Sequence, residues 1–312
     1  MSSVTHVGVG EKSSFERKAD TRVGKWRKYL PAYLSIAPFF ILFLVFGLIP
    51  TFFSLYLAFQ KWDGIGPMTF VGFSNFAYVL TDPIFGQAVR NTFEIWFMST
   101  IPMLFIALVL AFLINQRRRS KIAYEITYYI PVVTSIVAIT LIFGSLFDEH
   151  FGLLNLALGA LHLSPIMWTT EAWPMRWAIA LMVIWRWTGS NMIIYIAGLQ
   201  SIPTEFYEAA RIDGAGTWQI FRYITVPMLR PVILFTVIIS TIGGLTLFTE
   251  PQILLGNSGG TGHEGLTMGV YQYWQTFPSD HYGYGASVSW VMFFIILAFS
   301  IFNWRVVQRS NR

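Results

Sequence analysis

Six long apolar stretches, at about 32–58, 91–114, 123–147, 175–199, 229–250 and 285–304, leave this chain few folds to choose from. Each meets the roughly 20 helical residues needed to cross a hydrocarbon core of about 30 Å. Backbone at that depth must satisfy its N–H and C=O groups internally, so the expected fold class is an all-α membrane protein with six transmembrane helices. Composition agrees: 54% of the 312 residues are apolar and only 12% are charged, where soluble chains approach roughly a quarter. No cysteine occurs, which removes disulfides, thiolate metal sites and cysteine nucleophiles together.

The basic residues set the orientation. Seven lie before the first run (Lys12, Arg17, Lys18, Arg22, Lys25, Arg27 and Lys28), and four follow the second (Arg117, Arg118, Arg119 and Lys121). Arg211, Arg222 and Arg230 follow the fourth, and Arg305, Arg309 and Arg312 close the chain. The other side holds Lys61, Arg90 and Arg176, so the count is 17 against 3, with Arg186 inside a run. Short basic loops stay in the cytoplasm, which places both termini and the loops at 115–122 and 200–228 there. The expected organisation is a tail at 1–30, a six-helix transmembrane bundle at 31–304 and a tail at 305–312. Outer loops at about 59–90, 148–174 and 251–284 are free to meet an external partner. The first apolar run is too long for a signal peptide and lacks a cleavage site, so it is expected to be retained. Pro50, Pro102 and Pro131 fall in the first three spans, where each removes a donor and can kink its helix.

The segment 200–231 reads as two short helices joined by an elbow. Pro203 and Glu205 suit a helix start, and Gly214 with Gly216 suits its stop. Thr217 can cap the second helix, and Pro227 with Pro231 leads into the fifth span. Pattern alone leaves open whether this segment docks a protein or rests on the membrane surface as an amphipathic connector. The set Glu208-Ala209-Ala210, Asp213-Gly214-Ala215, Phe221, Pro227 and Pro231 resembles the cytoplasmic signature of bacterial ABC importer permeases, in its carbohydrate branch. Weaker similarities run through Phe70–Phe76, Trp185–Asn191, Ala197–Pro203 and Gly265–Tyr273, so they extend over most of the chain.

That resemblance implies a type I ABC importer permease fold and a coupling helix seated in a cleft of an ATPase subunit. Glu208, Ala209, Ala210, Asp213, Gly214, Ala215 and Phe221 would be its contact and elbow residues. It also implies a second homologous permease, ABC ATPase subunits that carry ATP and Mg, and an extracytoplasmic sugar-binding lipoprotein, around a multi-pass protein of the bacterial cytoplasmic membrane. No phosphate-binding loop is present in this chain, so no ATP site, cofactor or catalytic residue is expected in it. The five histidines lack metal-ligand spacing, and membrane lipid rather than nucleic acid is the expected surroundings.

Arg186 lies about 15 Å into its span, where an unpaired charge is costly, so it should face protein or water. Trp187, Ser190 and Asn191 fall nearby and form a polar, aromatic strip that suits sugar hydroxyls and pyranose faces. On the fifth span, Thr241 and Thr246 are candidates for the same path. Two plainer readings stay open: Arg186 pairs with Glu250 or snorkels, and the small residues serve helix packing. A secondary transporter or channel would want intramembrane acids or a re-entrant pore motif, and a membrane enzyme would want a nucleophile or paired carboxylates at depth. Neither pattern is clear here.

Overall fold

The computed structural model describes residues 22–116 and 121–309. The basic residues Lys12, Arg17, Lys18, Arg117, Arg118, Arg119 and Arg312 lie outside the described residues. From Arg22 onward the expected tail at 1–30 is already helix α1 (Arg22–Phe43), and the expected tail at 305–312 continues the last helix to Arg309. The chain divides into two units, Met1–Phe53 and Ser54–Arg312.

In the first unit α1 passes through a π-helical turn at Leu44–Leu48 into α2 (Ile49–Ala58), which ends within the second unit. The apolar stretch Tyr29–Ala58 is long enough to span a membrane.

The second unit opens with a short hairpin, β1 (Gln60–Lys61) against β2 (Thr69–Phe70), antiparallel with Gln60 opposite Phe70. Asn75, at the start of α3 (Ser74–Thr81), donates its amide to the carbonyls of Ala58 and Gln60 at 3.0 and 2.9 Å. Asp82 then caps α4 (Pro83–Asn115): its carboxylate accepts from the Ile84 amide at 2.8 Å, and Pro83 takes the first helical position, where no donor is missed. The second span therefore begins at Pro83 and not at 91. At 33 residues it is about 50 Å long and exceeds the membrane core, so its first turns carry polar side chains.

The third span is not one helix. It breaks into α5 (Lys121–Val133) and α6 (Ile136–Leu146), bent by 92° at Thr134 and Ser135. Pro131, one turn earlier, withholds the donor that the Thr127 carbonyl would otherwise accept. Among the described residues five helices are long and apolar enough to span, and the bent pair makes the sixth.

The loop after α6 carries α7 (Leu153–Ala160), and α8 (Ala172–Gln200) is the fourth span. The segment between the fourth and fifth spans supplies α9 (Thr204–Ile212), α10 (Thr217–Ile220), a π-helical turn at Phe221–Thr225 and α11 (Val226–Met228). The fifth span is α12 (Arg230–Leu245) with α13 (Thr249–Leu255), and α14 (Met268–Thr276) precedes the last helix α15 (Tyr282–Arg309).

Two helices form the spine of this unit. Ala107 and Ala111 of α4 meet Met192, Tyr195 and Leu199 of α8 in one buried cluster, the alanines letting the backbones approach. Helix α5 lies on the other side of α8, and Gly189 makes that approach possible: a Cβ there would sit 1.8 Å from the Tyr128 carbonyl oxygen.

Candidate functional site

Between α4, α6, α8 and the fifth span lies a cavity of about 400 Å³. Trp187, Ser190 and Asn191 line it from α8, Ser240, Gly243 and Gly244 from α12, and Thr246, Thr249 and Glu250 from the bend that follows. Thr100 of α4 and Ile136, just past the break in the third span, complete the wall. The hydroxyls and the amide are held in place. Ser240 donates to the Asn191 Oδ1 at 3.3 Å, and the Asn191 amide donates to the Trp187 carbonyl at 3.1 Å.

Of the residues expected along the path, Trp187, Ser190, Asn191 and Thr246 are thus brought together. Thr241 is not. Its side chain is buried on the opposite side of α12, where its hydroxyl accepts from the Asn303 amide at 3.2 Å, because five residues along a helix turn it well away from Thr246. Sequence reasoning passed over Thr100 and Ser240 as cavity residues; each stands in a long apolar run beside a second hydroxyl residue, Ser99 or Thr241, and sequence does not tell which of the two faces the cavity.

Arg186 stands behind this wall. Its Nη1 donates to the Thr134 carbonyl at 3.1 Å, at the break between α5 and α6, and its guanidinium lies 5.4 Å from the centre of the Trp187 ring. No ion pair links Arg186 to an acid among the described residues. A helix end leaves carbonyls without partners, and inside a membrane a cation from the next helix is one of the few groups that can meet them.

Near the start of α8, Arg176 is buried in an ionic network that ties three segments together. Its Nη1 meets Glu94 of α4 at 2.6 Å, its Nη2 donates to Asn91 at 2.9 Å and also pairs with Glu264, and its Nε donates to the Glu264 carbonyl at 3.1 Å. Asn91 in turn donates to the carbonyls of His263 and Leu266 at 2.7 and 3.1 Å. Arg176 thus fastens the loop before α14 to the spine, where the charge count offered only an isolated cation.

A separate depression of about 730 Å³ is bordered by Trp62, Tyr78, Asp82, Gln275, His281 and Tyr284. Beneath it the Tyr271 hydroxyl donates to the Asp82 carboxylate, and burial together with that bond pushes the Tyr271 phenol up from its usual range.

Between the fourth and fifth spans Gly214 takes a positive φ of 78°, the left-handed conformation that lets α9 stop and the chain turn. The cap of α10 is not Thr217 but Gly216, whose amide donates to the Gln219 side chain at 2.7 Å. Glu208, Ala209, Asp213 and Gly214 are exposed, as docking requires. Phe221 is not: only 6% of it is accessible, with its ring 4.9 Å from that of Phe112 on α4. Ala210 and Ala215 pack half-buried on the same cluster. These three fasten the elbow to the bundle, while Phe206, Ile212, Trp218 and Tyr223, at 50 to 86% exposure, carry the outward apolar surface. The periodicity offered an apolar flank without telling which of two faces its members occupy.

Comparison with known proteins places the chain. Residues 86–310 match the family model described as the binding-protein-dependent transport system inner membrane component. The lactose transport system permease protein LacF of Rhizobium radiobacter is 38% identical over 287 residues, covering 89% of this chain and 94% of that one. The arabinooligosaccharides transport system permease protein AraP of Bacillus subtilis is 36% identical over 280 residues, covering 89% and 88%. In structure, a chain of the bacterial alginate ABC transporter, solved with an alginate pentasaccharide-bound periplasmic protein, aligns with a TM-score of 0.81 at 24% identity, over 93% of this chain and 98% of that one. The bent third span, the exposed Gly214 elbow and the cavity beside α8 therefore sit on a type I ABC importer permease fold, and the chain belongs to the family of inner membrane components of binding-protein-dependent transport systems.

Proposed function

We propose that this chain is one permease subunit of an ATP-driven oligosaccharide importer, working with a second homologous permease, two ABC ATPase subunits and an extracytoplasmic sugar-binding lipoprotein. The observation that carries this reading is the two-faced elbow at 204–225. Phe221 is locked to Phe112 of α4, and Ile212 and Trp218 face outward at 86% and 68% exposure. A push on the outward face is then delivered to the spine, since the inner face cannot slide without breaking a buried aromatic contact. A hollow of about 280 Å³ beside Asp213, Gly214 and Tyr223 suits a protruding side chain of the ATPase.

ATP and Mg belong to that ATPase on this reading, and this chain performs no chemistry. The charge count puts both termini and the elbow in the cytoplasm, where an ATPase can reach it. Relatives named for lactose and arabinooligosaccharides support a neutral di- or oligosaccharide cargo. The cavity supplies matching chemistry: hydroxyls and an amide for sugar hydroxyls, and the Trp187 ring for a pyranose face.

The test is reconstitution. The complete complex with its binding protein should take up sugar only with ATP inside the vesicle, and Gly214→Asp or Glu208→Lys should abolish or impair ATPase co-purification. Uptake without ATP, or an unaffected complex in both variants, would contradict the reading.

A further inference from the structure

The depression bordered by Trp62, Tyr78 and Tyr284 lies at the Pro83 end of α4, and the elbow is anchored near the other end through Phe112. Thr100, in the wall of the cavity, is about 25 Å along α4 from Pro83, so the two hollows are separate. At about 730 Å³ the depression falls within the roughly 300–1,000 Å³ of small-ligand clefts.

Its rings are held by the protein itself. The Trp62 indole donates to the Gly66 carbonyl at 3.2 Å and packs on Tyr282, with ring centres 5.6 Å apart. Gly64 allows that packing: its φ is 90°, and a Cβ there would sit 2.6 Å from the Tyr282 ring. Tyr78 stands edge-on to Tyr284 at 5.3 Å, and the Tyr284 hydroxyl is tied to that of Tyr271 at 2.7 Å and to Asp82 at 3.4 Å. Tyr78 nonetheless stays 63% exposed, so its ring is open to a ligand. Lys61, Asp63, Gln275 and Asp280 stand around these rings.

We infer that this depression is a second sugar site, which binds a neutral oligosaccharide by one end outside the cavity. The inference rests on the permease reading and deepens it: with the ATPase at the elbow, the depression faces the side from which sugar arrives. A pyranose has apolar C–H faces to pack on Trp62 or Tyr78, and hydroxyls to pair with carboxylates and amides. Asp63, Asp82 and Asp280 outnumber Lys61, which disfavours an anionic ligand, and a wholly apolar one would strand those polar groups. Rings already fixed in place lose little freedom when a ligand packs on them, which favours binding even in an open site.

The experiment uses the assembled permease–ATPase complex without its binding protein. Diazirine-bearing cellotriose, maltotriose and arabinotriose are photolysed on it, and the labelled peptides are identified by mass spectrometry. At least one of these sugars should label residues 61–82 or 275–284, and excess unlabelled sugar should remove that label. Tyr78→Ala should lower it by about fivefold or more, while Tyr78→Phe should keep it and label in the cavity should stay unchanged in both. Should the Ala variant fail to assemble, Gln275→Ala carries the same test. No displaceable label at the depression with any of the sugars, or a label indifferent to the Ala variant, overturns the inference. A Tyr78→Ala complex that loses capture of the binding protein but keeps its sugar label also overturns it, and assigns the depression to protein docking. Each of these failures leaves the permease reading standing, since that reading fails only through loss of ATP-dependent uptake or of ATPase docking.

Discussion

The Arg186 guanidinium donates to the backbone carbonyl of Thr134 at 3.1 Å, joining the fourth span to the point where the third one bends by 92°. The bend leaves that carbonyl without a helical partner, and Ile136, two residues on, lines the cavity. Arg186 is therefore a positioning residue for the wall. Arg186→Ala should cost about 1–3 kcal/mol, the penalty for orphaning a buried acceptor, seen as a lower Tm of the purified complex. Arg186→Lys keeps a donor and should recover part of it. If Ala and wild type melt together, the bond to Thr134 has no structural weight.

Gly189 fixes how close α5 and α8 can come. A methyl group there would fall 1.8 Å from the Tyr128 carbonyl oxygen, and backbone cannot swing aside as a side chain can. Gly189→Ala should destabilise the pair by about 1–3 kcal/mol or more, since overpacking forces the helices apart. Limited proteolysis at the Lys121 end of α5 should then be faster than in wild type, and equal rates would refute the close contact.

Much of this was readable from the residues. The fourth expected span, 175–199, lies within a helix of nearly the same extent, Ala172–Gln200, because a run of apolar side chains has one stable solution in lipid. The elbow was readable because only glycine enters the conformation seen at Gly214 cheaply. The strip Trp187, Ser190 and Asn191 was readable because helical spacing alone puts those residues together. The bend at Thr134 was not, since Pro131 marks a weak point without fixing where or how far the helix turns. Nor was the role of Arg176, whose partner Glu264 lies 88 positions away in sequence. Thr241 and Phe221 failed for a shared reason: a pattern identifies a face and says nothing of what that face meets.

Arg176 is the cation with the most to lose. It is buried between Glu94 and Glu264, and truncation leaves two carboxylates facing each other beside Asn91. Arg176→Met should cost about 3 kcal/mol, at the low end for a buried pair because both carboxylates keep some solvent. Hydrogen exchange should report it as faster exchange in residues 256–267, with the elbow at 204–225 unchanged. Uniform loss of protection across both segments would mean that the network holds the whole unit and not the outer loop.

The loop after α6 should loosen in acid. Amides of Phe151 and His150 donate to Asp148 and hold its carboxyl below the usual range. For Glu149, burial pushes upward, but hydrogen bonds from Thr169 and Thr170 outweigh it and hold this carboxyl low as well. Groups depressed in the folded state contribute stability that is present above the unfolded carboxylate pKa of about 4 and is lost as pH falls through the lower folded values. Exchange of the Phe151 and Thr169 amides, corrected for intrinsic rates, should thus be flat from neutral pH down to about 4 and rise below it. Glu149→Gln should already exchange faster at neutral pH and change less with acid.

The two faces of the elbow should separate under mutation. Phe221→Ala removes a buried ring from its contact with Phe112, and a cavity of that kind costs about 3–5 kcal/mol, so the isolated permease should melt lower. Ile212→Ser touches a side chain that is 86% exposed and should leave that melting temperature within error. For ATPase capture the order should reverse in character. Ile212→Ser should weaken co-purification of an otherwise stable permease, because a desolvated apolar anchor is lost from the interface. Phe221→Ala should weaken it only as far as the elbow itself becomes disordered, so that lowering the temperature restores capture. A Phe221→Ala permease that melts like wild type yet fails to hold the ATPase would place Phe221 in the interface after all and remove the lever from its anchor on α4.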